Sequence, residues 1–255
     1  MRGATGNESL SSVVRRLAAA QKAPTPGTPA YSRFVNRRLG RLLAAVAYRA
    51  GLTPNQVTAV SAAFTFTAIA LVALVRPAVW SALVVAAGLV LGYAFDAADG
   101  QLARLRGGGS PAGEWLDHVV DAFKVSAVHL AVLVAWFRFF DLPAAGLLVP
   151  LGFTLVAAGL FFATWLTDQM RRAHPAGARP PAGASRAAVV RSLLVAPTDY
   201  GVLVLAFVTL GWRPVFVTLY TALFAATALF VLAALPKWFR EVRSFAPPRV
   251  TSAGA

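Results

Sequence analysis

Cysteine is absent from the 255 residues. That excludes disulfides, thiolate metal sites and a cysteine nucleophile, so any metal chemistry must use oxygen ligands or one of three histidines. Acidic side chains are scarce as well: 10 Asp+Glu stand against 24 Lys+Arg. Charged residues make up only 13% of the chain, where a soluble domain carries about 25%, and 58% of residues are hydrophobic. This is the composition of a protein that crosses a membrane several times. A net charge of +14 has three common readings: nucleic-acid binding, attraction to anionic lipid, and orientation in a bilayer. The basic residues are scattered along short connections between apolar stretches. Nucleic acid is therefore not expected as a partner, and membrane lipid is.

Six apolar segments are present, at residues 54–75, 78–95, 119–140, 144–166, 196–211 and 215–235. Most approach the ~20 residues that a spanning helix needs, and backbone facing lipid must be helical to satisfy its own hydrogen bonds. The fifth is short and interrupted by Thr198 and Asp199; it begins as early as Ala187 if its first turns lie in the interface. The expected fold class is an all-α membrane protein, with six transmembrane helices preceded by a juxtamembrane amphipathic helix. That helix covers residues 31–50, where Phe34, Val35, Leu39, Leu42, Leu43 and Val46 alternate with Arg33, Arg37, Arg38 and Arg41. A solvated helix is the alternative there. Residues 1–30 and 244–255 are expected to be flexible, and 51–243 to form the six-helix catalytic domain.

Only Arg76, Arg138 and Arg213 fall in the first, third and fifth connections; the remaining cations fall on the opposite side. The positive-inside rule then places both termini and the second and fourth connections in the cytoplasm, with a prokaryotic inner membrane as the expected location.

The second connection reads FDAADGQLARLRGGGSPAGEWLDHVVDAFK. Asp96 and Asp99 are three apart at the inner end of the second segment, and Asp117 and Asp121 are four apart at the start of the third. On helices these spacings place side chains on one face, so two neighbouring helices can converge four carboxylates. Such carboxylates repel one another unless cations neutralise them. Hard divalent ions, Mg²⁺ or Mn²⁺, suit an all-oxygen site, and two such ions can clamp a pyrophosphate. Gly100 allows close ligand approach, Arg104 can pair with phosphate oxygens, and Gly107–Gly109 with Pro111 predict a turn. Single aspartates at a membrane boundary are commonly solvated caps; four at these spacings point to function. A cation transporter is the competitor from another class, but there is no internal repeat and the cluster lies at the inner boundary rather than the midplane.

The pattern D-x2-D-G-x2-A-R-x8-G-x3-D-x3-D is complete in Asp96, Asp99, Gly100, Ala103, Arg104, Gly113, Asp117 and Asp121. It resembles the signature of the CDP-alcohol phosphotransferases, and the resemblance extends over roughly residues 31–243. It implies transfer of a phosphoalcohol group from a CDP-linked donor, most readily CDP-diacylglycerol, to a hydroxyl acceptor with release of CMP, in phospholipid synthesis. It also implies two Mg²⁺ or Mn²⁺ ions on Asp96, Asp99, Asp117 and Asp121, with Asp121 as the base, and a homodimer. Gly100, Ala103 and Gly113 would leave room for the nucleotide and Arg104 would contact its phosphates. Asn55 and Thr58, in the stretch 52–58, resemble a second family element facing the nucleotide and diphosphate.

The acceptor stays open. Asn36-Arg37-Arg38 resembles members that handle inositol phosphates, whereas residues 165–172 and 196–200 depart from the more acidic pattern of actinobacterial members using that acceptor. A soluble phosphorylated polyol is the alternative substrate. Arg171, Arg172, Arg186, Arg191 and Asp199 are candidate acceptor-binding residues, with topology, lipid attraction and helix capping as their other readings. His118 is expected to be structural.

Overall fold

The computed structural model of the chain describes residues 8–21, 28–174 and 195–245. Among these there is no strand. The helices are α1 (Leu10–Ala19), α2 (Arg37–Arg49, entered through a wide turn at Ser32–Asn36), α3 (Pro54–Leu74), α4 (Val79–Leu105), α5 (Pro111–Phe139), α6 (Leu148–Ala173), α7 (Tyr200–Ala206, extended by a tight turn at Phe207–Thr209) and α8 (Arg213–Arg243).

Five of these, α3, α4, α5, α6 with its leading turn, and α8, are long and apolar enough to cross a membrane. The fifth apolar segment, expected over 196–211, forms a helix only from Tyr200 to Thr209. Ten residues rise about 15 Å, half of a bilayer's hydrocarbon core. Several helices outrun their apolar stretches. α4 continues ten residues past Phe95, and α5 starts eight residues before Val119. Hydropathy registers only the lipid-facing part, whereas the ends are set by local caps. The Ser110 hydroxyl accepts the Gly113 N–H at 3.1 Å, and Pro111 follows where a missing N–H is harmless. At α3, Thr53 and Gln56 form a reciprocal capping box.

Within the stretch 1–30, expected to be flexible, the described residues include α1, capped by Ser9 and seated by buried Val13 and Leu17 against Ala44, Ala45, Val57 and Leu102. The segment 31–50 folds as a helix whose small residues do the packing. Gly40, Ala44, Ala45 and Ala47 are buried, while Phe34, Val35, Leu39, Leu42 and Val46 are exposed. A Cβ placed on Gly40 would lie 2.8 Å from the Ala97 Cβ of α4. Gly40→Leu is therefore expected to lever α2 off α4 and to lower stability by about 1–3 kcal/mol. Thermal unfolding of the detergent-solubilised protein reads this; an unshifted transition would argue against the close crossing.

The α3–α4 contact follows the small-residue logic of membrane helices. Gly88 and Gly92 of α4 face Ala68 and Thr65 of α3, and a side chain on Gly92 would collide with Thr65. The Ser61 hydroxyl donates to the Gly92 carbonyl at 2.8 Å across that contact. α4 and α5 each pack along α3 but make few direct contacts with each other. A cleft between α4 and α5, floored by α3, is the consequence. Arg76, Arg138 and Arg213 gather at one end: Arg138 donates to the Ala73 carbonyl at 2.9 Å, and Arg213 lies over the Phe140 ring.

Candidate active site

Gly107 and Gly108, with φ of 96° and 127°, take backbone conformations that side chains disfavour. They reverse the chain between Leu105 and Pro111, so α4 and α5 run antiparallel away from one turn. At 1.5 Å per residue, Asp99 and Asp117 each lie about 9 Å from that end of their helix, and Asp96 and Asp121 about 14–15 Å. The carboxylates therefore meet at matching depth across the cleft.

One carboxylate oxygen from each of Asp96, Asp117 and Asp121 falls within 4.8 Å of the others. Asp99 stands beside them, near enough to Asp96 and Asp117 for their charges to act on it. It is buried, and its oxygens accept the Thr58 hydroxyl at 2.6 Å and the Gly100 N–H at 2.5 Å. Thr58 is thus joined to the site directly. Asn55 is joined through Gly113: a Cβ there would lie 3.0 Å from the Asn55 Oδ1. Gly100, Ala103 and Arg104 share one helix face, with Arg104 exposed at the cleft mouth and its guanidinium beside Gly100. Arg37 comes close enough for charge coupling with it, and Arg33 for coupling with Arg37. Burial first, then the charges of Arg104 and Arg33, hold the Arg37 guanidinium below its ordinary value. Three cations gathered this closely make a place for phosphate.

Sequence reasoning missed Lys124. Its ammonium donates to Asp96 at 2.6 Å, Asp121 at 3.1 Å and the Ser61 hydroxyl at 3.0 Å. The signal was present, since Lys124 follows Asp121 by three and Asp117 by seven residues, on one helix face.

The candidate acceptor residues are spoken for differently. Asp199 is 2% exposed. Its carboxylate caps α7 through the Gly201 N–H and accepts both the N–H and the hydroxyl of Ser32, at 2.9–3.0 Å. It therefore ties α7 to the turn before α2. Arg171 forms a two-point pair with Glu241 of α8 and a further one with Asp168. Arg172 pairs with Glu114 at the start of α5. Arg186 and Arg191 lie outside the described residues. His118 sits 3.8 Å from Glu114 and edge-on to Trp165, away from the carboxylates' meeting point. His129 is buried against Phe153 and bonded to the Tyr220 hydroxyl at 2.7 Å.

The donor set is all carboxylate oxygen, with Thr58 holding Asp99 in place, and fits a hard divalent cation. The sequence profile of the CDP-alcohol phosphatidyltransferases matches residues 51–232. The chain belongs to that family. All eight positions of the aspartate–glycine–arginine pattern, and both Asn55 and Thr58, lie inside the region matched to the CDP-alcohol phosphatidyltransferases. No curated protein matches the chain. Similar solved structures include two of the phosphatidylinositol phosphate synthase PgsA1 from Mycobacterium tuberculosis. One, with CDP-DAG bound, shares 21% identity over 87% of this chain and 98% of that chain, with a TM-score of 0.47. The other, in complex with manganese and citrate, shares 24% identity over 84% and 92%, with a TM-score of 0.46.

Proposed function

We propose that the chain transfers a phosphatidyl-type phosphoalcohol from a CDP-linked donor to a hydroxyl acceptor, releasing CMP, in phospholipid synthesis. The observation that carries this is the convergence of the complete family pattern from two helices on one cleft, with Asp96, Asp117 and Asp121 within 4.8 Å. The acceptor oxygen bonds to the phosphorus of the transferred group as the bond from that phosphorus to the CMP oxygen breaks. The electron pair leaves with CMP. The acceptor proton passes to Asp121, a reading supported by its convergence with Asp96 and Asp117. Arg104, with Arg37 near it, faces the diphosphate, and Thr58 fixes the rotamer of Asp99 through its 2.6 Å bond. Asn55 and the missing side chains at Gly100 and Gly113 leave a surface where a nucleotide can lie close to backbone. Mg²⁺ or Mn²⁺ held by Asp96, Asp99, Asp117 and Asp121 would supply Lewis-acid polarisation of the diphosphate.

A lipid-linked donor is favoured over a soluble one by an apolar groove of about 480 Å³ between α3 and α4, lined among others by Phe64, Leu71, Val84, Gly88 and Leu91. Leu91 is about 7.5 Å along the helix from Asp96, within reach of an acyl chain attached to a bound headgroup. The proposal includes a sixth crossing completed around α7, and α2 as an interfacial helix whose exposed Phe34, Leu42 and Val46 enter the leaflet. It also includes a homodimer, by family resemblance. Arg76, Arg138 and Arg213 lie opposite the acidic end, while the larger share of the 24 Lys+Arg falls in the segments on the acidic side; this excess supports a cytoplasmic site in a prokaryotic inner membrane.

The test is CMP release by the purified protein, with Mg²⁺ or Mn²⁺ and a panel of hydroxyl acceptors. CDP-diacylglycerol is expected to be consumed and CDP-inositol to be left intact. Turnover of the soluble donor alone would reverse that assignment.

A further inference from the structure

Lys124 is 6% exposed and lies at the depth of the acidic cluster. An ammonium out of water must find acceptors for its three protons and a compensating charge. Here all three are placed: on Asp96 from α4, on Asp121 one turn back along α5, and on Ser61 from α3. The third acceptor is built in advance. Ser61 spends its own proton on the Gly92 carbonyl at 2.8 Å, which leaves a lone pair to receive Lys124. That bond exists because Gly92, with no side chain, lets α3 approach α4 closely. The ammonium is therefore held by three different helices at the point where Asp96 and Asp121 face each other, and it engages one oxygen of each.

Two divalent ions shared among four aspartates would need Asp96 and Asp121 as ligands on that same side. We propose that the Lys124 ammonium is the second cation of this site, and that the chain binds a single divalent ion, on the carboxylate oxygens that Lys124 does not engage, in place of the two that the family pattern implies. The proposal rests on the divalent-metal chemistry put forward above. The physical reason is repulsion. A fixed positive charge in contact with Asp96 and Asp121 weakens a further cation at those oxygens by about 100-fold or more, since like charges a few ångströms apart in a half-buried site repel strongly. The fixed charge also keeps Asp96 and Asp121 together when no metal is bound.

The full-length protein in lipid nanodiscs, stripped of metal and titrated with MnCl₂, tests this by equilibrium binding and by electron paramagnetic resonance. The wild type is expected to bind one Mn²⁺ per chain with the spectrum of an isolated ion. Lys124→Met is expected to bind two, with a spin-coupled spectrum. Two coupled ions in the wild type would overturn the proposal and leave the transferase assignment standing. One ion in a folded Lys124→Met protein would overturn it as well. Absence of any Mn²⁺ binding by the wild type would overturn both the proposal and the metal chemistry beneath it. Because the wild-type stoichiometry is decisive by itself, the test survives a variant that fails to fold.

Discussion

Asp121→Asn is expected to reduce CMP release by about 1,000-fold or more, the range associated with loss of a positioned base together with a carboxylate ligand. Asparagine has the same shape as aspartate and keeps an oxygen that can accept the Lys124 bond, 3.1 Å long in the native chain. What it loses is the charge and the ability to take a proton. Asp121 stands about 15 Å into α5, where its neighbours are Asp96, Asp117 and Lys124 rather than apolar core. The helix beyond it is held by Val128, Val132, Ala135 and Trp136, all buried in the main apolar cluster. The thermal transition should therefore move by no more than about 2–4 °C, equivalent to roughly 1 kcal/mol in a chain of this size. Assaying CMP release and thermal unfolding on one preparation separates chemistry from folding. Near-native turnover in the variant would remove Asp121 from its assigned role.

Chelation of divalent cations with EDTA should also stop CMP release, again by about 1,000-fold or more. Addition of Mg²⁺ or Mn²⁺ should restore it. Ca²⁺ should restore it poorly, because it favours six to eight ligands at longer distances than a compact carboxylate site offers. The reason lies in the charges. Asp96 and Asp121 share one ammonium, Asp99 and Asp117 add their own negative charge, and a diphosphate brought into the cleft adds more. Without another cation the substrate is repelled from the residues that must act on it. The helices themselves should persist, since α4 and α5 are each held along α3 independently of the cleft. Unchanged helical circular dichroism beside lost turnover is the expected pair of readings. Full activity in chelator would show that the carboxylates work without metal.

The acidic pattern was legible in sequence because it is local. Asp96 with Asp99, and Asp117 with Asp121, lie on single helices whose periodicity fixes which side chains share a face. The turn between them is announced by glycines, and Gly107 and Gly108 do take positive φ. Helix number was less legible. Hydropathy found six apolar stretches, and five are long helices; the stretch over 196–211 is broken by the cap that Asp199 makes on α7. Composition gave no sign of α1, where two apolar side chains, Val13 and Leu17, suffice to seat the helix on a surface built by other helices.

The sequence by itself determined that the chain is helical and membrane-embedded, and that it carries the aspartate pattern that resembles the CDP-alcohol phosphatidyltransferases. Those properties rest on hydropathy and on spacings within a turn or two of helix. Only the tertiary structure decided which neighbours those carboxylates have. Thr58 reaches Asp99 across 41 residues of chain, Lys124 reaches Ser61 across 63, and Ser32 reaches Asp199 across 167. Such pairings depend on how closely α2, α3 and α4 approach. That closeness comes from side chains missing at Gly40, Gly88 and Gly92, a property of packed surfaces that periodicity along one helix does not encode.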